Sequence, residues 1–215
     1  MTTTDLTHLP LFPLGSVLFP DGVLSLRVFE LRYLQMVGQA HKTGSPFGVV
    51  GLTQGAEVRV AGAPAERFAS VGTLAGISRY EAPQPALLRI ECRGTRRFRV
   101  VDSRQEKNGL WTARVAWVPD DVATPVPDDL AHCVRALERV IATLSLRRQA
   151  DDAEAAGPPI ALPHRLDDCG WVANRWCELL PLPPELRQRL MELDSPLLRL
   201  ELVSDLLART GIARG

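Results

Sequence analysis

Two short groups bring metal-binding side chains together: His132 beside Cys133, and His164, Asp167, Asp168 and Cys169. A structural zinc takes four Cys or His ligands, supplied as closely spaced pairs because one turn of chain then fixes half of the tetrahedron. Neither group contains such a pair, so no metal site is assigned. Cys92, Cys133, Cys169 and Cys177 form no C-x-x-C unit and read as reduced thiols. Cys133 borders an apolar helical stripe, where a thiol behaves as a small hydrophobe. No G-x-x-x-x-G-K-[ST] run is present to cradle a nucleotide phosphate. No catalytic residue and no cofactor are assigned.

Two groups of charged residues remain. Arg93, Arg96, Arg97 and Arg99 form the densest basic cluster, and such a cluster could meet RNA phosphates. The competing reading is the solvent face of a half-buried strand, and it leads. The chain has 25 basic and 25 acidic residues, and only Phe98 lies nearby as an aromatic for base stacking. RNA binding is therefore the lesser alternative. Glu30 and Arg32 sit where a strand gives way to a helix, a place suited to capping and ion pairing. Phe29 and Tyr33 beside them read as core, and Trp111, Trp117, Trp171 and Trp176 as mostly buried.

The elements that must position these residues fall into two styles. Val23–Val28, Phe47–Leu52, Leu88–Cys92 and Trp111–Trp117 are short strand-like runs, the last two alternating apolar and polar residues. Asn108-Gly109 predicts a tight hairpin pairing Phe98–Val101 antiparallel with the Trp111 strand. A small barrel or sandwich would hide the edges of such strands. One helix is predicted between Glu30 and His41, stopped by Gly44.

After Val118, Pro119, Pro125 and Pro127 end the strand pattern and Asp128 is placed as a helix cap. Residues 1–118 and 119–215 are the expected domains. Leu130, Val134, Leu137, Ile141 and Leu144 share one stripe of a helix ending near Gln149. Residues 150–162, with Gly157-Pro158-Pro159, read as a loop or linker. Three shorter helices follow, marked by Val172, Trp176 and Leu179, by Leu186, Leu190 and Leu193, and by Ser195-Pro196 at the start of the last.

At 46% hydrophobic and 23% charged over 215 residues, the chain has material for one or two globular cores. Residues 1–118 carry 14 Lys/Arg against 9 Asp/Glu, net +5, and residues 119–215 carry 11 against 16, net −5. The N-terminus lacks a secretory pattern and no apolar run approaches the ~18 residues of a membrane helix. A cytoplasmic protein that does not engage membranes is expected.

Leu9-Pro10-Leu11-Phe12-Pro13-Leu14, Val17-Leu18-Phe19-Pro20 and Leu26-Arg27-Val28-Phe29-Glu30-Leu31-Arg32-Tyr33 together closely resemble the start of the Lon protease N-terminal domain family. The likeness continues through Phe47-Gly48-Val49-Val50, Val71-Gly72-Thr73, Gly94–Phe98, Leu179–Leu182 and Arg199-Leu200, and so covers nearly the whole chain. Asp21 is a departure, inserted where the family often has F-P-G directly. The resemblance implies an α+β fold, an N-terminal PUA-like β pseudo-barrel followed by a C-terminal helical bundle. Pro10, Phe12, Pro13, Phe19, Pro20, Phe29, Glu30, Arg32 and Tyr33 are its motif residues, read as structural. It further implies a non-enzymatic module binding unfolded or extended polypeptides, with a separate protease as a further partner. The Ser-Lys dyad of a Lon protease domain would need a lysine beside a nucleophile. The two lysines, Lys42 and Lys107, fall instead at a helix end and in a loop. Purified protein is expected to hydrolyse neither ATP nor casein, and either activity co-eluting with the protein peak would refute this.

Overall fold

The computed structural model describes residues 7–58, 62, 65–150, 160 and 162–210. By its internal contacts the chain divides into two compact units, Met1–Asp120 and Asp121–Gly215. The first holds strands β1 (Thr7–Leu14), β2 (Val23–Val28), β3 (Phe47–Gln54), β4 (Arg67–Gln84), β5 (Leu87–Gln105) and β6 (Trp111–Trp117), with helix α1 (Leu31–Thr43) between β2 and β3. The sheet order is β2-β5-β4-β3-β1-β6, and β6 also pairs with β5. The hydrogen-bonded circuit β5-β4-β3-β1-β6 thus closes on itself. Only β1 and β3 pair in parallel, with Leu11 opposite Gly48.

Closure follows from the length of β5. Along one edge β5 pairs with β2 through Leu88–Arg93 and then with β6 through Phe98–Gln105. Its other edge pairs with β4. The sequence shows β5 as two strand-like pieces because its burial alternation slips around Gly94, where the β4–β5 register also shifts. Leu11–Leu14 of β1 and Phe47–Val50 of β3 are buried at successive residues and so on both faces, which explains why these stretches are continuously apolar rather than alternating. Leu9 and Leu11 of β1 join Val50, Phe98, Ala113 and Val115 in one core. Phe12 and Leu14 face a second core with Phe47, Val49 and the α1 residues Tyr33, Met36, Val37 and Ala40. Phe98 fills its core only because Gly48 and Gly72 face it. A methyl group on either would come within 2.7 Å of the Phe98 ring.

The β5–β6 connection pairs its strands antiparallel as predicted, but the turn differs. The loop runs Glu106–Leu110, closed by Glu106 N–H to Leu110 O at 2.8 Å, and only Gly109, at φ 85°, takes a positive angle there. Asn108 instead uses its side chain, Oδ1 accepting from Leu110 N–H at 3.0 Å. The inserted Asp21 has φ 61° and Gly22 N–H donates to Phe19 O at 3.0 Å, so Pro20 and Asp21 form the middle of a type II turn. Helix α1 ends as expected at Gly44, φ 66°.

In the second unit a short 3-10 turn, Asp128–Leu130, leads into α2 (Ala131–Ala150), followed by α3 (Cys169–Leu179), α4 (Pro184–Glu192) and α5 (Pro196–Thr210). Asp128 lies inside the 3-10 turn and caps nothing; Pro127 holds the cap position. The expected linker falls mostly outside the described residues, at 151–159 and 161, as does Gly211. α3 is buried from Cys169 to Cys177. Its N-cap is Asp168, whose Oδ1 accepts from Gly170 N–H at 3.0 Å. α2 turns Cys133, Ala136, Leu137 and Ile141 inward, leaving Val134 and Leu144 half-buried. Leu130, Leu137 and Ile141 of the expected stripe are thus buried, and Trp176 of α3 docks on α2, its Nε1 donating to Cys133 O at 3.0 Å. Arg199 of α5, 1% exposed, donates to Leu190 O at 2.9 Å, Asn174 Oδ1 at 3.0 Å and Asp121 Oδ2 at 2.6 Å. No helix among the described residues is long and apolar enough to cross a membrane.

Leu137 is fully buried and Ile141 nearly so. Truncating either to Ala is expected to cost about 2–5 kcal/mol through the cavity left behind. Urea denaturation checks this, and an unchanged midpoint would mean that the stripe faces solvent.

Candidate functional site

The chain from β2 into α1 must turn a strand into a helix at Phe29-Glu30, and the turn leaves a cleft of about 340 Å³. Phe12 and Leu14 of β1, Ser25–Phe29, Glu30, Tyr33, Glu57 and Val58 line it. Phe12 and Tyr33 stack with ring centroids 4.1 Å apart. Both are buried, as is Leu14, whereas Phe29 is 54% and Val58 45% exposed. The cleft therefore has a fixed apolar floor and an exposed apolar rim. Phe29 was expected in the core. Strand alternation sends Val28 inward, and its neighbour Phe29 therefore points out.

Arg32 holds the floor. Its side chain is buried, and its charge survives only because every side of the guanidinium has a partner. Nε donates to Glu30 at 2.9 Å, Nη2 to Glu66 at 2.7 Å and Nη1 to the Gly109 carbonyl at 2.9 Å. The guanidinium carbon lies 4.4 Å from the Tyr33 ring centroid. Desolvation is the largest single influence and works against the charge. The hydrogen bond to Glu66 and the charges of Glu66 and Glu30, joined by the Tyr33 phenolate at the high pH where a guanidinium titrates, together outweigh it, so the pKa lies above the ordinary guanidinium value. Glu66 also accepts from Trp111 Nε1 at 2.7 Å. Glu30 occupies the N-cap position of α1 without a capping hydrogen bond, its carboxylate being committed to Arg32.

The other motif residues build the frame. Phe19 and Pro13 are buried, and Pro10 and Pro20 half-buried. β1 pairs with β6 over Thr7–Leu11 and with β3 over Leu11–Leu14. Pro10 and Pro13 therefore each have a partner strand on one side only, and a missing donor is tolerated there. Glu57 accepts from Gly15 N–H at 2.6 Å. Glu66 and Glu57 were not singled out from the sequence, and Trp111 was named only as a mostly buried residue. Glu66 lies 34 residues from Arg32. The one available signal was the need of a buried arginine for a second anion.

The four clustered arginines do not form one free basic face. Arg97 is 4% exposed and donates to Pro119 O at 3.4 Å. Arg93 pairs with Asp21 at 3.1 Å, and Arg96 with Asp120 at 3.6 Å while lying 4.9 Å from the Trp117 ring centroid. Arg99 is exposed, and Phe98 is wholly buried. Trp171 and Trp176 are buried, and Trp111 and Trp117 only half so.

The residues considered as metal ligands are otherwise engaged. His132 reaches Asp129 O at 2.9 Å and Ser204 Oγ at 3.0 Å, Cys169 donates to Pro125 O at 3.4 Å, and His164 lies against the Trp171 ring. No group of three or more candidate ligands occurs among the described residues. All four thiols are buried, and burial pushes Cys92 and Cys177 up to about 12.

A closed β circuit carrying one helix, followed by a helical unit, is an arrangement found in solved Lon N-terminal domains. A Lon N-terminal domain protein from Xanthomonas campestris superposes with a TM-score of 0.67 at 34% identity, covering 93% of this chain and 98% of that one. The N-terminal domain of the Mycobacterium avium complex Lon protease shares the fold at a TM-score of 0.58 and 18% identity, over 93% and 97%. The chain belongs to the ATP-dependent protease La (LON) substrate-binding domain family, whose sequence model matches residues 8–209. The Lon protease of Paraburkholderia phytofirmans is 29% identical over 201 residues, 90% of this chain. The chain spans 23% of that relative's length. The matched family is the substrate-binding domain and not the protease domain.

Removing Arg32 should leave the largely covered Glu66 carboxylate without its cation, held only by Trp111 Nε1. Arg32→Ala is expected to cost about 3–5 kcal/mol, against less than about 1 kcal/mol for Arg93→Ala, whose pair with Asp21 is solvated. Urea midpoints of the two variants read the difference directly, and equal shifts would contradict it.

Proposed function

We propose that this chain binds extended, apolar segments of other polypeptides at the Phe29-rimmed cleft and catalyses no reaction itself. The carrying observation is the pairing of an exposed aromatic rim with a rigid, buried aromatic floor at one place. Covering such a side chain with a bound segment is worth about 1.5–3 kcal/mol. The volume sits at the low end of ordinary ligand sites, about 300–1,000 Å³, and suits one or two side chains of a flexible segment rather than a folded surface. Membership of a substrate-binding family supports the same reading.

In this reading the closed circuit is a PUA-like pseudo-barrel and residues 119–215 form a helical bundle. The protein works in the cytoplasm as an adaptor or chaperone-like factor in protein quality control, handing clients to a separate protease. The rival is RNA binding along the arginine-rich part of β5, favoured by Arg96 stacked on Trp117 and by exposed Arg99.

One titration separates the two. Apolar binding of a labelled unfolded polypeptide should change little between about 50 and 200 mM salt, whereas RNA held by several phosphate contacts should lose orders of magnitude. Phe29→Ser should weaken polypeptide binding about tenfold, the loss of one buried large side chain. Arg96→Ala/Arg99→Ala should leave it unchanged. Salt-sensitive RNA binding abolished by the arginine changes, with no polypeptide bound, would favour the rival.

A further inference from the structure

β2 pairs with β5 on one side, and among the described residues no strand pairs with its other side. An open edge exposes backbone donors and acceptors to any extended chain, and proteins ordinarily blunt it with proline, lysine or a bulge. β2, Val23-Leu24-Ser25-Leu26-Arg27-Val28, has no proline and no lysine, and its pairing with β5 runs without a register shift. The edge is short but regular.

The ladder fixes which backbone groups face out. Gly94 N–H donates to Gly22 O and Asp21 N–H donates to Gly94 O, each at 2.9 Å, a bulge at the end of the ladder that sets Gly22 opposite Gly94 at a bonded position. Val23 opposite Arg93 is then a non-bonded position, and alternation makes Leu24, Leu26 and Val28 the bonded partners of β5. Val23, Ser25 and Arg27 therefore turn N–H and C=O to the open side. Leu26 and Val28, half-buried and buried, face inward, whereas the side chains of Ser25 and Arg27 are exposed.

The cleft lies along this same edge, because five consecutive residues from Ser25 to Phe29 line it. Among its charged lining residues Glu30 is committed to Arg32 and Glu57 to Gly15, while Arg27 makes no ion pair among the described residues. A chain laid along β2 would send alternate side chains to opposite faces. One set would reach the Phe12–Tyr33 floor and the other would pass Ser25 and Arg27.

We infer that a client polypeptide docks as an added strand on the outer edge of β2, with apolar residues at alternate positions and a carboxylate beside Arg27. This rests on the polypeptide-binding reading above and specifies its mode. Main-chain hydrogen bonds hold the segment, the cleft selects apolar side chains, and Arg27 biases the choice toward acidic neighbours.

The test uses a labelled synthetic peptide of about eight residues, an ordinary strand length, alternating Val or Phe with Thr and Asp. Two N-methylated versions carry the methyl groups on alternate residues, one set odd and the other even. Strand addition requires that only one version lose affinity, by about tenfold or more, since only one set of N–H groups faces β2. Ser25→Pro removes an outward donor without touching the β2–β5 ladder, and should weaken the parent peptide about tenfold while leaving circular dichroism and melting unchanged. Arg27→Glu should weaken the Asp peptide and favour its Lys counterpart. If the parent binds and the two methylated versions behave alike, strand addition is overturned while polypeptide binding stands. If neither the peptide nor an unfolded polypeptide binds, the underlying reading fails and takes this one with it. Concentration-dependent dimers abolished by Ser25→Pro, with no peptide bound, would make a second copy the occupant and overturn the proposal.

Discussion

Arg32 gathers three stretches of chain that are far apart in sequence. Its guanidinium joins the start of α1 through Glu30, the approach to β4 through Glu66 and the β5–β6 loop through the Gly109 carbonyl, while Trp111 at the head of β6 shares Glu66. A buried charge tolerates no vacancy among its partners, so the position of each segment is conditional on the others. The stack continues from the guanidinium through Tyr33 to Phe12, and in this way an electrostatic requirement sets an apolar surface. The floor of the cleft is rigid because the charge beside it must be satisfied.

The rim is a consequence of backbone geometry. β2 delivers Val28 to the core, the next residue must point outward, and α1 begins only two residues later at Leu31. A large aromatic at that outward position is not consumed by the frame, and neither is Leu31 of the same block, 70% exposed. The remaining motif residues are occupied in closing the sheet and packing its two cores.

How much was legible follows the range of each interaction. Elements governed by local rules appeared in the sequence: β2 and β6 span the residues read as strands, α1 stops at Gly44, and Pro196 opens α5 with Ser195 Oγ accepting from Leu198 N–H at 3.2 Å. The family resemblance was legible from clustered motifs. What failed depended on tertiary partners. The apolar spacing of α2 identified Leu137 and Ile141 as buried but left out Ala136, which is buried with them. β5 looked like two strands because a local slip interrupts its alternation. Phe29 was placed in the core because type alone says that phenylalanine is buried, and Glu66 was overlooked because nothing near it in sequence demands an anion.

The Arg199 clamp bears on how the second unit would respond to force. Asp121, its first residue, is gripped by a guanidinium near the start of the last helix, which also holds the carbonyl of Leu190. Tension applied between the chain before Asp121 and the far end of α5 would run along α5 and across this clamp. α2, α3 and α4 would lie outside the load path. The clamp and α5 would carry that load in series, so the weaker of the two would set the force at which the unit opens, and the other helices would be loaded only after the clamp had sheared.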